Sequence, residues 1–331
     1  MKQKTLTPQK SFSRMGLALF VMLVVTTLVQ AVCSGVVNVM AMQGNNLYET
    51  YPWLIWAISF LPLYVAGVPI GLAMMRRLPA EENPETASLS VGKLLKYLVM
   101  SIGVMYAGNL IGTGLSSLFS GGSAENPLLN YVFDNSPLKV IVIVILAPLV
   151  EEYIFRKQII DRLSKYGEGV AIVFSGVTFG LFHGNLFQFF YACGLGMLFA
   201  YVYIRTRRLR YTVILHAVIN LIGSVLGPWV LSQVDTDVLS SLDPAAIAAM
   251  DQETLMAIAP GILLYGLYAL LMIGLAIAGV VLLIVNRKKA ELRPAAEELP
   301  KGQRFKTAYL NVGVVLLTLL CVALTVLVLL Q

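Results

Sequence analysis

Residues 137–156 read PLKVIVIVILAPLVEEYIFR, an apolar run that closes on two adjacent carboxylates, Glu151 and Glu152, and then Arg156. Its length approaches the roughly 20 apolar residues that cross a bilayer. Ionisable groups in such a helix cost about 2.5–3.5 kcal/mol each on insertion scales, so they are candidates for function by default. Two other apolar runs carry the only two histidines of the chain, His183 and His216. One polar site assembled inside a membrane is the reading to test.

The remainder of the sequence has the same character. Of 331 residues, 58% are hydrophobic and 13% charged, against about 25% charged in soluble domains. Nine apolar stretches stand out, at about 15–42, 52–75, 94–119, 137–156, 169–183, 187–204, 211–230, 260–285 and 308–330. They predict an all-α, polytopic membrane helix bundle with about nine transmembrane helices. The first stretch is much longer than the 7–15 residues or so of a signal-peptide core, and more spans follow it, so it is expected to be a retained anchor.

Charge orients the bundle. Every Lys and Arg except Lys139 falls at the N-terminus or on the second, fourth, sixth and eighth connections. The positive-inside rule places those segments, and so the N-terminus, in the cytoplasm. The other loops carry Glu49, Glu125, Asp134, Asp235, Asp237, Asp243, Asp251 and Glu253. This alternation accounts for the net charge of +6 without a nucleic-acid partner. The basic loops suit an anionic inner leaflet. Cys33, Cys193 and Cys321 all lie within spans and lack CxxC spacing, so they are expected to be packing residues.

Four regions follow: a three-helix membrane region over 1–136, a core over 137–230, an extracytoplasmic loop over 231–259, and a two-helix region over 260–331. A short surface helix is expected around Pro244–Ile258, and a solvated cytoplasmic linker over 287–306. No internal repeat is visible.

Helical spacing organises the polar residues of the core. Glu152 and Arg156 are four apart with the acid first, the favourable order for an ion pair. Glu151 points about 100° away from that pair. The expected division is that Glu152 and Arg156 neutralise each other while Glu151 faces a cavity. Desolvation would then suit Glu151 to take a proton from water. The alternative is a juxtamembrane salt-bridge cluster. Phe179 and His183 share a face, as do His216 and Asn220; the alternative for either histidine is a satisfied core residue.

Depth tests convergence. At about 1.5 Å per residue, His216 lies roughly 7–8 Å in from Tyr211 and Glu151 roughly 9 Å from the cytoplasmic face. A direct count puts His183 near 21 Å. If the fourth helix continues to about Leu163 and the fifth rises from there, His183 comes to about 12 Å and all three meet in the cytoplasmic half.

EExxxR, FxxxH and HxxxN, in that order on successive membrane helices, resemble the CPBP family. These are the CAAX-protease and bacteriocin-processing intramembrane proteases, also called the Abi or type II CAAX endopeptidase family. The resemblance covers roughly residues 137–230. It implies an intramembrane endopeptidase, an integral multi-pass protein of a bacterial plasma membrane. Glu151 would activate a water that His183 helps to hold, with His216 and Asn220 stabilising the oxyanion. Glu152, Arg156 and Phe179 would support them. The resemblance also admits zinc on Glu151, His183 and His216 with an open water position; metal-free chemistry uses the same groups, and both stay open.

Other protease types lack their residues: there is no GxSxG, no HExxH, and no Asp in any expected span. Implied partners are the lipid bilayer and a protein or peptide substrate entering from the membrane or the cytoplasm. Such substrates would be lipidated CAAX-type proteins or small secreted, bacteriocin-like peptides. The rival readings are a catalytically silent membrane scaffold or immunity protein and a proton-coupled transporter, the latter without the two related halves that transporters tend to show.

Overall fold

The computed structural model describes residues 6–81, 85–234 and 251–331, and among these every regular element is helical. The long helices are α1 (Pro8–Met42), α2 (Leu54–Met75), α3 (Val91–Ser120), α4 (140–163), α5 (Glu168–Phe182), α6 (Leu186–Thr206), α7 (Leu209–Leu231), α8 (Gln252–Asn286) and α9 (Val312–Leu329). A short helix, Arg304–Tyr309, precedes α9.

Among the described residues, seven of these helices are long and apolar enough to cross a membrane. The two that do not qualify from the expected nine are α4 and α5. Charged residues interrupt α4, and α5 has only 15 residues. Both are central to the protein. α4 also runs on to Leu163, past the expected end at residue 156, and α5 starts almost at once at Glu168. This is the geometry that the depth argument required of His183. Residues 244–250 of the expected surface helix lie outside the described residues, while 252–258 are the first turns of α8.

Prolines leave a repeated mark on the backbone. Wide (π) turns at Leu63–Gly67, Val140–Leu146 and Ile222–Leu226 each end two residues before a proline: Pro69, Pro148 and Pro228. A proline offers no N–H and its ring clashes with the carbonyl four residues back, so the helix widens ahead of it.

Close packing depends on small residues, as expected where lipid removes the hydrophobic drive between helices. α5 crosses α6 at Gly176 and Gly196, where a Cβ on Gly196 would sit 2.8 Å from the Gly176 Cα. α1 meets α9 in the same way through Gly16 and Gly313. Cys193 is half-buried and Cys321 buried, both as free thiols within helices, in keeping with a packing role.

The basic connections gather at one end of the bundle and pair there with acids. Arg207 bonds Glu81 at 2.6 Å and Asp161 at 3.1 Å, Lys165 bonds Glu297 at 3.2 Å, and Arg205 pairs with Glu168. The linker over 287–306 is mostly exposed, in keeping with a solvated segment, and it is also pinned across this end. Glu297 and Leu299 donate their N–H groups to the carbonyls of Lys165 and Tyr166 at 2.9 and 3.0 Å, and Leu299 is buried. Burial and its paired neighbours act in opposite directions on Lys165, and Glu297 with Tyr166 prevails, raising its pKa.

Candidate active site

α4 supplies the acidic end of the site. Its α-helical stretch Ala147–Glu152 lies between two wide turns, Val140–Leu146 and Tyr153–Gln158. In the first, the Ile143 carbonyl would look five residues on for a donor and finds Pro148, which has none. That carbonyl accepts instead from Asn220 Nδ2 on α7 at 2.8 Å. One amide hydrogen of Asn220 is thus used to hold α7 against α4. Its second hydrogen and its oxygen are not part of that bond.

The second wide turn carries the expected ion pair. Arg156 Nε and Nη2 donate to the two Glu152 oxygens at 2.9 and 3.1 Å, and both side chains are fully buried. Arg156 is therefore an interior residue, and its place among the cytoplasmic basic residues is corrected. Its third arm donates to Ser175 Oγ at 2.9 Å, and that hydroxyl donates to the Phe155 carbonyl at 2.7 Å. The guanidinium also lies 4.8 Å from the Phe179 ring centroid, a cation–π arrangement. Each nitrogen of the guanidinium and each oxygen of the carboxylate has a hydrogen-bond partner, which is the condition under which such a pair is tolerated.

His216 completes the arrangement from α7. Its Nδ1 lies 3.0 Å from Glu152 Oε1. Because an ionised carboxylate only accepts, that contact makes Nδ1 the protonated nitrogen. Nε2 then faces the other way, 3.7 Å from Glu151 Oε2. That separation exceeds a hydrogen bond. Glu151 keeps 21% of its side-chain surface exposed whereas Glu152 has none, so the adjacent acids occupy the different surroundings expected of them.

His183 caps the C-terminal end of α5. Its Nδ1 donates to the Phe179 carbonyl at 2.8 Å, which again leaves Nε2 with the free lone pair. The Phe179 ring stands between the two imidazoles, 4.9 Å from His183 and 5.7 Å from His216 between centroids, nearly perpendicular to both. Glu151 and His216 are within electrostatic reach of His183. The structure therefore gathers Glu151, Glu152, Arg156, Phe179, His183 and His216, and attaches Asn220 to the same helix pair.

The sequence reading missed several contributors. Ser175 is four residues before Phe179 and eight before His183, so it was legible as a third member of that face. Phe199, 5.7 Å from the His216 ring, and the tyrosines Tyr64 and Tyr191, within electrostatic reach of Glu151, come from distant helices with no local signal. Asn185 holds the turn after His183. Its side chain donates to the His183 carbonyl at 2.9 Å and accepts from Gln188 N–H at 2.9 Å, capping α6.

A metal would be offered the two Nε2 lone pairs and Glu151. Among the described residues, however, no three His, Cys, Asp or Glu side chains are grouped closely enough to hold an ion. As they stand these side chains do not make a zinc set.

Residues 133–222 match the family described as type II CAAX prenyl endopeptidase, Rce1-like. This segment is similar to the core of that family. It takes in α4, α5, α6 and most of α7, the helices that carry the site. The chain is also 28% identical over 180 residues to a Bacillus subtilis protein named as a membrane peptidase, YdiL, covering 53% of this chain and 71% of that one. It is 28% identical over 170 residues to the membrane-embedded CAAX protease MroQ of Staphylococcus aureus, covering 46% and 68%. No solved structure matches it significantly. Family and relatives together support an intramembrane protease in an integral, multi-pass membrane protein.

Proposed function

We propose that this protein is an intramembrane endopeptidase in which Glu151 is the general base for a water that attacks a peptide carbonyl. The observation that carries the proposal is the pairing of Glu151 with His216, whose far nitrogen is fixed by a buried, neutralised Glu152. The water would sit beside Glu151 and His183, giving one proton to Glu151 and accepting from no other group. The carbonyl oxygen, as it becomes an oxyanion, would be met by His216 Nε2 and by the remaining amide hydrogen of Asn220. Nε2 donates only from a doubly protonated ring. Glu152 already balances Arg156, so the charge on that ring is balanced by the Glu151 carboxylate 3.7 Å from Nε2 and, after proton uptake, by the oxyanion. The proton taken by Glu151 then passes to the departing amine as the C–N bond breaks.

The family description and the two relatives support peptides as the substrate class. Lipidated proteins cut near their C-terminus and small secreted peptides are the forms considered. Glu151 keeps 21% of its side-chain surface exposed, and its depth counted from the sequence favours entry from the cytoplasm or sideways from the bilayer.

The test is cleavage of membrane-presented peptides by wild type, Glu151→Ala and His216→Ala, each with and without a chelator. Loss of cleavage in both variants with retained folding is the expected result, and full cleavage by Glu151→Ala would remove the mechanism. Loss with chelator that zinc restores would replace the metal-free scheme by a zinc-dependent one.

A further inference from the structure

A cavity of about 290 Å³ opens at the basic end, away from the proteolytic residues, between the start of α3 and the end of α6. Its wall includes Lys93, Lys96, Tyr97, Tyr201 and Arg205, and no carboxylate. We infer that this cavity is a phosphate-recognising site, filled by the headgroup of an anionic phospholipid of the cytoplasmic leaflet or by free phosphate.

Three features support an anion here. Lys93 and Lys96 occupy the first turns of α3, where the helix has no acidic residue. The positive end of a helix dipole disfavours cations, and an anion among them relieves both repulsions. Lys93 is exposed and has no carboxylate partner among the described residues, while Lys96 donates only to the neutral Asn286 side chain at 2.7 Å. Arg205 pairs with Glu168 through one terminal nitrogen, yet its Nε is buried without a hydrogen-bond partner among the described residues. Glu168 shares the Nε/Nη2 edge of that guanidinium, so Arg205 adds positive charge to the wall while Lys93 and Lys96 supply the ammonium groups that have no carboxylate partner among the described residues.

The site is also held in shape. The loop entering α3 is fixed by Ala87 N–H donating to the Thr206 carbonyl at 3.0 Å and Leu89 N–H to the Tyr211 hydroxyl at 3.1 Å. Tyr97 and Tyr201 are half-buried, as tyrosines are at the depth of lipid headgroups. A lipid whose phosphate sat among these cations would leave its acyl chains free to run down the outside of α3.

The experiment is native mass spectrometry of the full chain in detergent with dioleoyl phosphatidylglycerol and dioleoyl phosphatidylcholine at equal concentration. Wild type should retain one phosphatidylglycerol in preference. The Lys93→Gln and Lys96→Gln variants should each lower that preference about fivefold, the factor one basic residue contributes near an anionic surface. Lys288→Gln/Lys289→Gln, on an exposed basic turn outside the cavity, should leave it unchanged. Inorganic phosphate is the second arm: binding that the same two lysine variants weaken, with no lipid preference, supports the site and assigns it to the soluble anion. Neither ligand responding to Lys93 and Lys96, or an equal response to the Lys288/Lys289 control, overturns the inference. Because Lys93 is exposed, Lys93→Gln should stay folded even if Lys96→Gln does not.

Discussion

Replacing Arg156 by methionine removes the cation from a fully buried pair while keeping most of the apolar volume. The substitution deletes two hydrogen bonds to Glu152, at 2.9 and 3.1 Å, and one to Ser175 at 2.9 Å. Glu152 is left with no exposed surface and with His216 Nδ1 as its remaining strong donor. Truncating one partner of a buried pair costs about 3–5 kcal/mol. The residual His216 contact argues for the lower end, near 3 kcal/mol, which is roughly a hundredfold in the folding equilibrium. Unfolding in mixed micelles followed by tryptophan fluorescence measures it. The companion variant Arg156→Met/Glu152→Leu removes both charges, and it should recover most of the lost stability because replacing a whole buried pair by apolar side chains is often neutral. It should not recover cleavage, since His216 has then lost its acceptor. A single variant within about 1 kcal/mol of wild type, or a double variant less stable than the single one, would refute the account of this pair.

Three further outcomes are expected. Glu151→Gln should lower kcat by about 10²–10⁴-fold, the usual contribution of a general base, with the unfolding midpoint unchanged because the side chain is partly exposed. Asn220→Leu should destabilise by about 1–3 kcal/mol through the orphaned Ile143 carbonyl, and Asn220→Asp, which cannot donate either, should do no better. Leu299→Asp should free the strap over the basic end, and faster proteolysis within 287–306 with unchanged protection of α5 and α6 would register that release.

How much of this was legible depends on how far apart the interacting residues are. The Glu152–Arg156 pair, the shared face of Phe179 and His183 and the division between the two acids all follow from the helical period alone. The continuation of α4 to Leu163 was inferred from the requirement that His183 reach the depth of its partners, and it holds. Of the nine expected spans seven are long and apolar enough to cross a membrane, while α4 is loaded with charge and α5, the short fifth stretch of the sequence, has 15 residues. The buried pairing of Arg156 with Glu152 offsets the charge on α4, which hydropathy does not register. Three wide turns could have been suspected from Pro69, Pro148 and Pro228, but each adds a residue to a turn and so rotates everything beyond it, which a regular 3.6-residue count misplaces.

Membrane class and the neighbours along each helix were dictated by composition and local period, since these depend on a few consecutive residues. The contacts that make a site were settled by packing. His216 meets Glu152 across 64 residues and Asn220 meets Ile143 across 77. Such meetings depend on where a glycine lets two helices approach and where a proline opens a turn. Those are properties of helix pairs, which no single helix encodes.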